Sequence, residues 1–113
     1  MEKVAKYKAI AKEVLSAITD RKNRSRHSAT YQLIADEANG NYLLLRNGWQ
    51  GGTRLYGIII HVDVKEDGKV WLQQDATDLV VADLLLEKGV AAEDLVLGFL
   101  TPTMREDMAD AAA

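Results

Sequence analysis

Two β-prone runs, Leu55 to Val64 and Val70 to Gln74, flank the dipeptide Asp67-Gly68. Both turn residues accept positive φ, so a two-residue type I′ hairpin is expected. That turn pairs Glu66 with Lys69 and sets His61 opposite Gln74. Strand alternation then separates two faces. Tyr56, Ile58, Ile60, Val62 and Val64 share one with Trp71 and Gln73, the better core face. Leu55, Ile59, His61 and Asp63 share the other with Leu72 and Gln74.

The rest of the chain supplies cover for this hairpin. From residue 2 to 20, Val4, Tyr7, Ala11, Val14, Leu15 and Ile18 recur at three- and four-residue steps, the stripe of an amphipathic helix. The run Arg21-Lys22-Asn23-Arg24-Ser25-Arg26-His27 is expected to end it as a polar loop. Thr30 to Ala35 and Tyr42 to Arg46 read as strands, joined through the turn-forming Glu37-Ala38-Asn39-Gly40-Asn41. A second helix is expected from Asp78 to Lys88, with Thr77 as N-cap and Gly89 in the left-handed position of a Schellman-type stop before Val90. Its apolar residues, Leu79 to Leu86, run nearly all round, so it should be buried. Leu95 to Leu100 reads as a last strand stopped by Pro102. The tail from Glu106 to Ala113 has little apolar surface and is expected to be mobile. The fold class is α+β: one domain over residues 1–113, mainly antiparallel sheet against two helices, in the order α-β-β-β-β-α-β.

Composition narrows the chemistry. The 113 residues suit one core. There is no cysteine, which excludes disulfides, thiolate metal sites and a cysteine nucleophile. No apolar run approaches a membrane span, and the charged N-terminus lacks a signal-peptide core. A cytoplasmic location with no membrane association is expected. Net charge is −3 but unevenly spread. Residues 1–27 carry eight Lys/Arg against three acids, and the remainder six against fourteen. An acidic balance argues against a nucleic-acid coat protein, which needs many basic contacts. The basic segment of Arg21, Lys22, Arg24 and Arg26 can meet phosphate or an acidic partner; it can equally be a solvated face that complements a helix C-terminus.

Chemistry-bearing residues are few. His61-x-Asp63 points two polar side chains the same way, as a pair of metal ligands or an acid/base pair would need, but further ligands at recognisable spacing are absent. A hydrogen-bonded pair or a partner-binding patch accounts for it as well. Asp75 and Thr77 can hold a cation or cap free helix N–H groups, and capping is the favoured reading. Gly48-Trp49-Gln50-Gly51-Gly52 lacks the lysine and following helix of a phosphate-binding loop. Trp49 with Arg54 and Tyr56 has the composition of an interaction hot spot, or Trp49 belongs to the core. No Ser/His/Asp nucleophile motif is present. No cofactor and no catalytic residue is expected.

These pieces together resemble the XisI-like excision controlling factors of cyanobacteria. The resemblance runs from Tyr31 to about Phe99. It comprises Gly48-Trp49-Gln50-Gly51, Arg54-x-Tyr56-Gly57, His61-x-Asp63, Gly68-Lys69-Val70-Trp71-x-Gln73, Asp75-x-Thr77, Leu84-x-x-x-Lys88-Gly89-Val90 and Asp94-Leu95-Val96-Leu97-x-Phe99. The chain departs from the family pattern at Asp75-Ala76-Thr77-Asp78, where Asp-Gly-Thr-Glu is usual, and at Ala91, where proline is usual. The resemblance implies a non-enzymatic accessory factor for excision of a DNA element of the fdxN type. Such a factor acts beside a recombinase and an XisH-like companion of nuclease-like fold. Partner binding is then expected at Trp49, Gln50, Arg54, Tyr56, His61, Asp63, Gln74 and Asp75. The alternatives are direct DNA binding as a recombination directionality factor through Arg21, Lys22, Arg24 and Arg26, or a small hydrolase or metal enzyme built on His61, Asp63 and Asp75. Open sheet edges make a homo-oligomer reasonable.

Overall fold

The structure, a computed structural model, describes residues 2–25 and 28–112, with side chains through Asp107. The elements run α1 (Glu2–Arg24), β1 (Ala29–Asp36), β2 (Asn41–Gln50), β3 (Thr53–Val64), β4 (Val70–Asp75), α2 (Val81–Lys88), a 3-10 turn (Ala92–Asp94), β5 (Leu95–Leu97) and α3 (Pro102–Ala112). The five strands lie side by side in chain order. The first four are antiparallel, and β5 joins β4 in parallel after the crossover through α2.

The α1 stripe buries Tyr7, Ile10, Ala11, Val14, Leu15 and Ile18 against one face of the sheet. Tyr42, Leu44, Ile60, Val62, Val64, Val70 and Leu72 meet it from the strands, and Val81 and Leu85 from α2. Transfer of such side chains out of water, at about 25 cal/mol per Å² of apolar surface, is the main stabilising term. The second helix stops as its sequence requires. Gly89 has φ +119°, its N–H donates to the Leu86 carbonyl, and the Val90 N–H donates to Leu85 (3.0 Å), the Schellman pattern.

Several expectations are corrected. Helix α1 continues through Arg24, so Arg21, Lys22 and Arg24 form its last turn rather than a loop. Cations there meet the negative end of the helix dipole, and the Asn23 side chain is docked on β1. The β3–β4 turn is a three-residue loop, not a two-residue one. Lys65 exchanges hydrogen bonds with Gly68 and Lys69, and Gly68 sits at φ +87°, the signature of a type I turn with a glycine bulge. Val64 therefore faces Val70, and Leu72 rather than Trp71 lies on the core face. A bulge at Gln73 absorbs the extra residue, so His61 still faces Gln74. A second bulge at Ile59, between Leu44 and Leu45, reverses the facing of β3 and turns Ile58 and Tyr56 outward. The last strand ends at Leu97, not Leu100. Beyond it Pro102 opens α3, which runs to Ala112, with Thr101 Oγ1 accepting the Met104 N–H (3.2 Å). Ala113 lies outside the described residues.

Two buried polar groups carry testable consequences. Asp94 accepts hydrogen bonds from the Tyr7 hydroxyl (2.6 Å) and the Lys3 ammonium (2.9 Å), tying the start of α1 to the entry of β5. The Tyr7 hydrogen bond, then the Lys3 contact, holds the Asp94 carboxyl below its ordinary range, against the opposing effect of burial. A lowered folded-state pKa contributes stability above the ordinary carboxylate value that is lost as pH falls through the folded value. Asp94→Asn is expected to lower stability at neutral pH and flatten the acid limb of a stability–pH curve. Tyr42 is wholly buried, and burial pushes its hydroxyl from 10.0 up to about 12, with Glu37 and Asp36 adding to the push. Glu37 nevertheless lies outside hydrogen-bonding geometry, and the hydroxyl has no partner among the described residues. An unsatisfied buried hydroxyl costs about 1 kcal/mol or more, so Tyr42→Phe is expected to raise stability by about 1 kcal/mol. A raised tyrosine value means stability held below pH 10.0 and lost as pH rises towards about 12. Alkaline unfolding curves of the Phe variant should lack that loss.

Candidate functional site

The face of the sheet opposite α1 is the exposed one. The Ile59 bulge aligns its side chains across three strands: Ile34, Leu43 and His61 in one row, Gln32, Leu45 and Ile58 in the next, then Thr30, Asn47 and Tyr56, and finally Trp49 with Arg54. Helix α3 covers only the far side of this face among the described residues, where the Arg105 guanidinium stacks 5.3 Å from the Trp71 ring centroid. Trp49 is 56% exposed, Tyr56 60% and Ile34 42%.

At the tip of the β2–β3 hairpin the three expected contact residues do assemble. The Arg54 guanidinium lies 5.3 Å from the Trp49 ring centroid and 5.0 Å from that of Tyr56, and its Nη1 donates to the Gly48 carbonyl (3.3 Å). The cation lies over both rings, so cation–π attraction favours keeping the three side chains together. Gln50 is exposed beside them, at the end of β2. Gly51, at φ +60°, makes the tight reversal that brings Trp49 back opposite Arg54. Trp49 is therefore a surface residue, not part of the core.

The polar cluster further along the sheet does not bring His61 and Asp63 together as a hydrogen-bonded pair. His61 Nε2 is hydrogen-bonded to Asn41 Oδ1 (2.9 Å), and burial holds its pKa below the ordinary value despite Asp63 nearby. Asp63 instead pairs with Lys65 (2.7 Å) and accepts from Gln73 Nε2 (3.3 Å). Gln74 Nε2 donates to the Ile58 carbonyl (2.6 Å). A polar cleft of roughly 320 Å³ lies beside this cluster, walled by Lys8, Asn39, Asn41, Asp63 and Lys65. Among the described residues no three His, Cys, Asp or Glu side chains converge as metal ligands.

Asp75 organises the loop into α2. Its Oδ1 accepts the Thr77 N–H (2.9 Å) and hydroxyl (2.6 Å), and its Oδ2 accepts the Val81 N–H (2.8 Å). The helix consequently starts at Val81, not Asp78, and Asp75 at the strand end takes the capping role expected of Thr77. Thr77 Oγ1 accepts from Leu79 one step earlier (3.2 Å). The turn is completed by Val80 in the left-handed region, φ +53°, a costly conformation for a β-branched side chain. Val80 is 51% exposed, so little packing is lost on trimming it. Val80→Gly is expected to stabilise by up to about 1 kcal/mol, read as a higher urea midpoint at unchanged slope.

The basic residues are largely used inside the fold. Lys3 pairs with Asp94, Lys12 with Glu37 (3.7 Å) and Lys88 with Glu13 (3.2 Å), while Lys8 donates to the Glu37 carbonyl. Lys22 lies 5.4 Å over the Tyr31 ring. Arg21 and Arg24 are exposed on the last turn of α1. Arg26 lies outside the described residues. The sequence reading missed Asn23, which bonds both backbone groups of Tyr31 through its amide, and the outward turn of Ile58 and Leu45; neither leaves a periodic signal.

No helix among the described residues is long and apolar enough to cross a membrane. Comparison with known proteins agrees with the fold. No curated protein matches the chain. The family model described as XisI protein matches residues 1–112. The crystal structure of fdxN element excision controlling factor XisI from Anabaena variabilis ATCC 29413 superposes with a TM-score of 0.76 at 32% identity, covering 91% of this chain and 98% of that one. A XisI-like protein from the same organism superposes with a TM-score of 0.80 at 39% identity, covering 92% and 94%. Matched by its family's model along nearly its whole length and by two solved relatives in sequence and fold, the chain belongs to the XisI family.

Proposed function

We propose that this chain is a non-enzymatic accessory factor that controls excision of a DNA element by binding an XisH-like partner of nuclease-like fold. Its relative's description as an excision controlling factor supports the role. The observation that carries the binding reading is the preassembled Trp49–Arg54–Tyr56 stack at the tip of an exposed sheet face. Aromatic and arginine side chains held in place before contact lose little freedom on binding, which is what interface hot spots use. The acidic balance of residues 28–113 suits a basic, DNA-handling partner. Direct DNA contact has less to work with, because Lys3 and Lys12 are ion-paired within the fold.

Co-purification of the chain with an XisH-like protein, followed by DNA binding of each alone and of the complex, tests this. A stable complex, with no DNA affinity in the isolated chain at low salt, is the expected result. Absence of a complex, with salt-sensitive DNA binding that Arg21→Ala and Arg24→Ala weaken, would overturn it in favour of the basic helix end.

A further inference from the structure

The edge of the sheet carries a second interaction surface. Strand β1 pairs only with β2 among the described residues, so its other side is an edge. The register assigns the backbone groups on that side. Asn23 bonds the N–H (2.9 Å) and the C=O (2.8 Å) of Tyr31, so those groups point away from β2. Leu33 and Ala35 have the same parity, and in an unbulged antiparallel pair their N–H and C=O also point outward. Folded proteins blunt such edges with lysine, proline or a bulge. From Gln32 to Ala35 this strand has none of them, and its pairing with β2 is regular.

We infer that β1 pairs antiparallel with β1 of a second copy of this chain, about a two-fold axis at Ile34. Asn23 sets the frame, because its amide already occupies Tyr31 and leaves only Gln32 to Asp36 for pairing. Centred on Ile34, Leu33 of one copy exchanges both backbone hydrogen bonds with Ala35 of the other, and the reverse. Gln32 then faces Asp36, an amide against a carboxylate instead of two like charges. Ile34, 42% exposed in the single chain, is covered by its own counterpart. The ends complement in charge. Lys22 lies over Tyr31, whose counterpart across this axis is Glu37. An isologous contact of this kind closes on itself and yields a dimer joined through a continuous ten-stranded sheet. It leaves the Trp49–Arg54–Tyr56 tip free and does not depend on the partner proposed above.

The test is the molar mass in solution by light scattering from micromolar to near-millimolar concentration, with thermal melts as the fold control. The intact chain is expected at twice its 12.5 kDa mass. Ala35→Pro removes an N–H that bonds nothing inside one copy, and Ile34→Lys sets two ammonium groups against each other. Both should be monomers with native melts. Amide exchange supplies a second reading: Leu33 and Ala35 should become protected as concentration rises, while Gln32 and Ile34, bonded to β2, stay unchanged. A chain that is monomeric throughout would overturn the inference. So would a dimer that survives both substitutions, or one that Ile34→Lys breaks and Ala35→Pro does not, since that dimer would use the sheet face and not its edge.

Discussion

Gly40→Ala is expected to destabilise the fold by about 3 kcal/mol, seen as a large drop in the urea midpoint. Two effects add. Gly40 has φ +72°, where an L side chain costs about 1 kcal/mol or more. An alanine Cβ at this position would also fall 2.3 Å from the carbonyl oxygen of Val64, and that oxygen is backbone that cannot swing aside. The Gly40 carbonyl meanwhile accepts the Val64 N–H (2.8 Å), so relieving the clash breaks the bond that seats the β1–β2 turn on the end of β3. Gly51→Ala is the control. Its φ is +60°, but an added Cβ meets nothing within 4 Å, so only the conformational part, about 1 kcal/mol, should appear. Equal losses in the two variants would show that the close approach at Gly40 contributes nothing.

That contrast also marks where sequence reading succeeds and where it stops. Ala38-Asn39-Gly40 announces a turn, and so does Asp67-Gly68, because only a few residue types tolerate positive φ. Periodicity identifies the buried side of α1, since Tyr7, Val14 and Ile18 cannot share a stripe by another regular structure. The Gly89-Val90 stop is legible for the same local reason. Facing along the sheet is not local. The side-chain period of a strand is two, so one extra residue reverses every side chain beyond it. Three insertions of that kind, in the Glu66-Asp67-Gly68 loop, at Gln73 and at Ile59, decide the outer face, and none has a composition that distinguishes it. The first two cancel at His61, so its expected position opposite Gln74 holds although the intervening register differs. Asp75 was legible as a polar residue near a helix start, but its reach over six residues to Val81 depends on the left-handed Val80, which no propensity favours. The grouping of Trp49, Arg54 and Tyr56 was legible because alternation within one strand and a tight reversal between two place them together whatever happens at Ile59.

Trp49→Ala is expected to weaken binding of the XisH-like partner by about 30-fold or more, the loss of about 2 kcal/mol that defines a hot spot. Stability should change by less than about 1 kcal/mol, because Trp49 is 56% exposed and its contact with Arg54 is an open one. The ring has two roles in the proposed interface: it supplies apolar area, and it holds the Arg54 plane against Tyr56. Arg54→Lys separates them. Lysine keeps the charge but has no plane to lie between two rings and no fork to present to a carboxylate. A loss in Arg54→Lys close to that of Trp49→Ala would assign the affinity to the stack as a unit. A small loss would assign it to the indole area alone. Full affinity in Trp49→Ala, with the partner still bound, would remove the hairpin tip from the interface and leave the rows of Leu43, Leu45 and Ile58 as the surface to mutate. Partner affinity and chain mass measured on the same variants keep the two interfaces apart. Trp49→Ala should remain a dimer, and Ile34→Lys, on the edge strand β1 and fifteen or more residues in sequence from the tip residues Trp49, Arg54 and Tyr56, should become a monomer that still binds the partner.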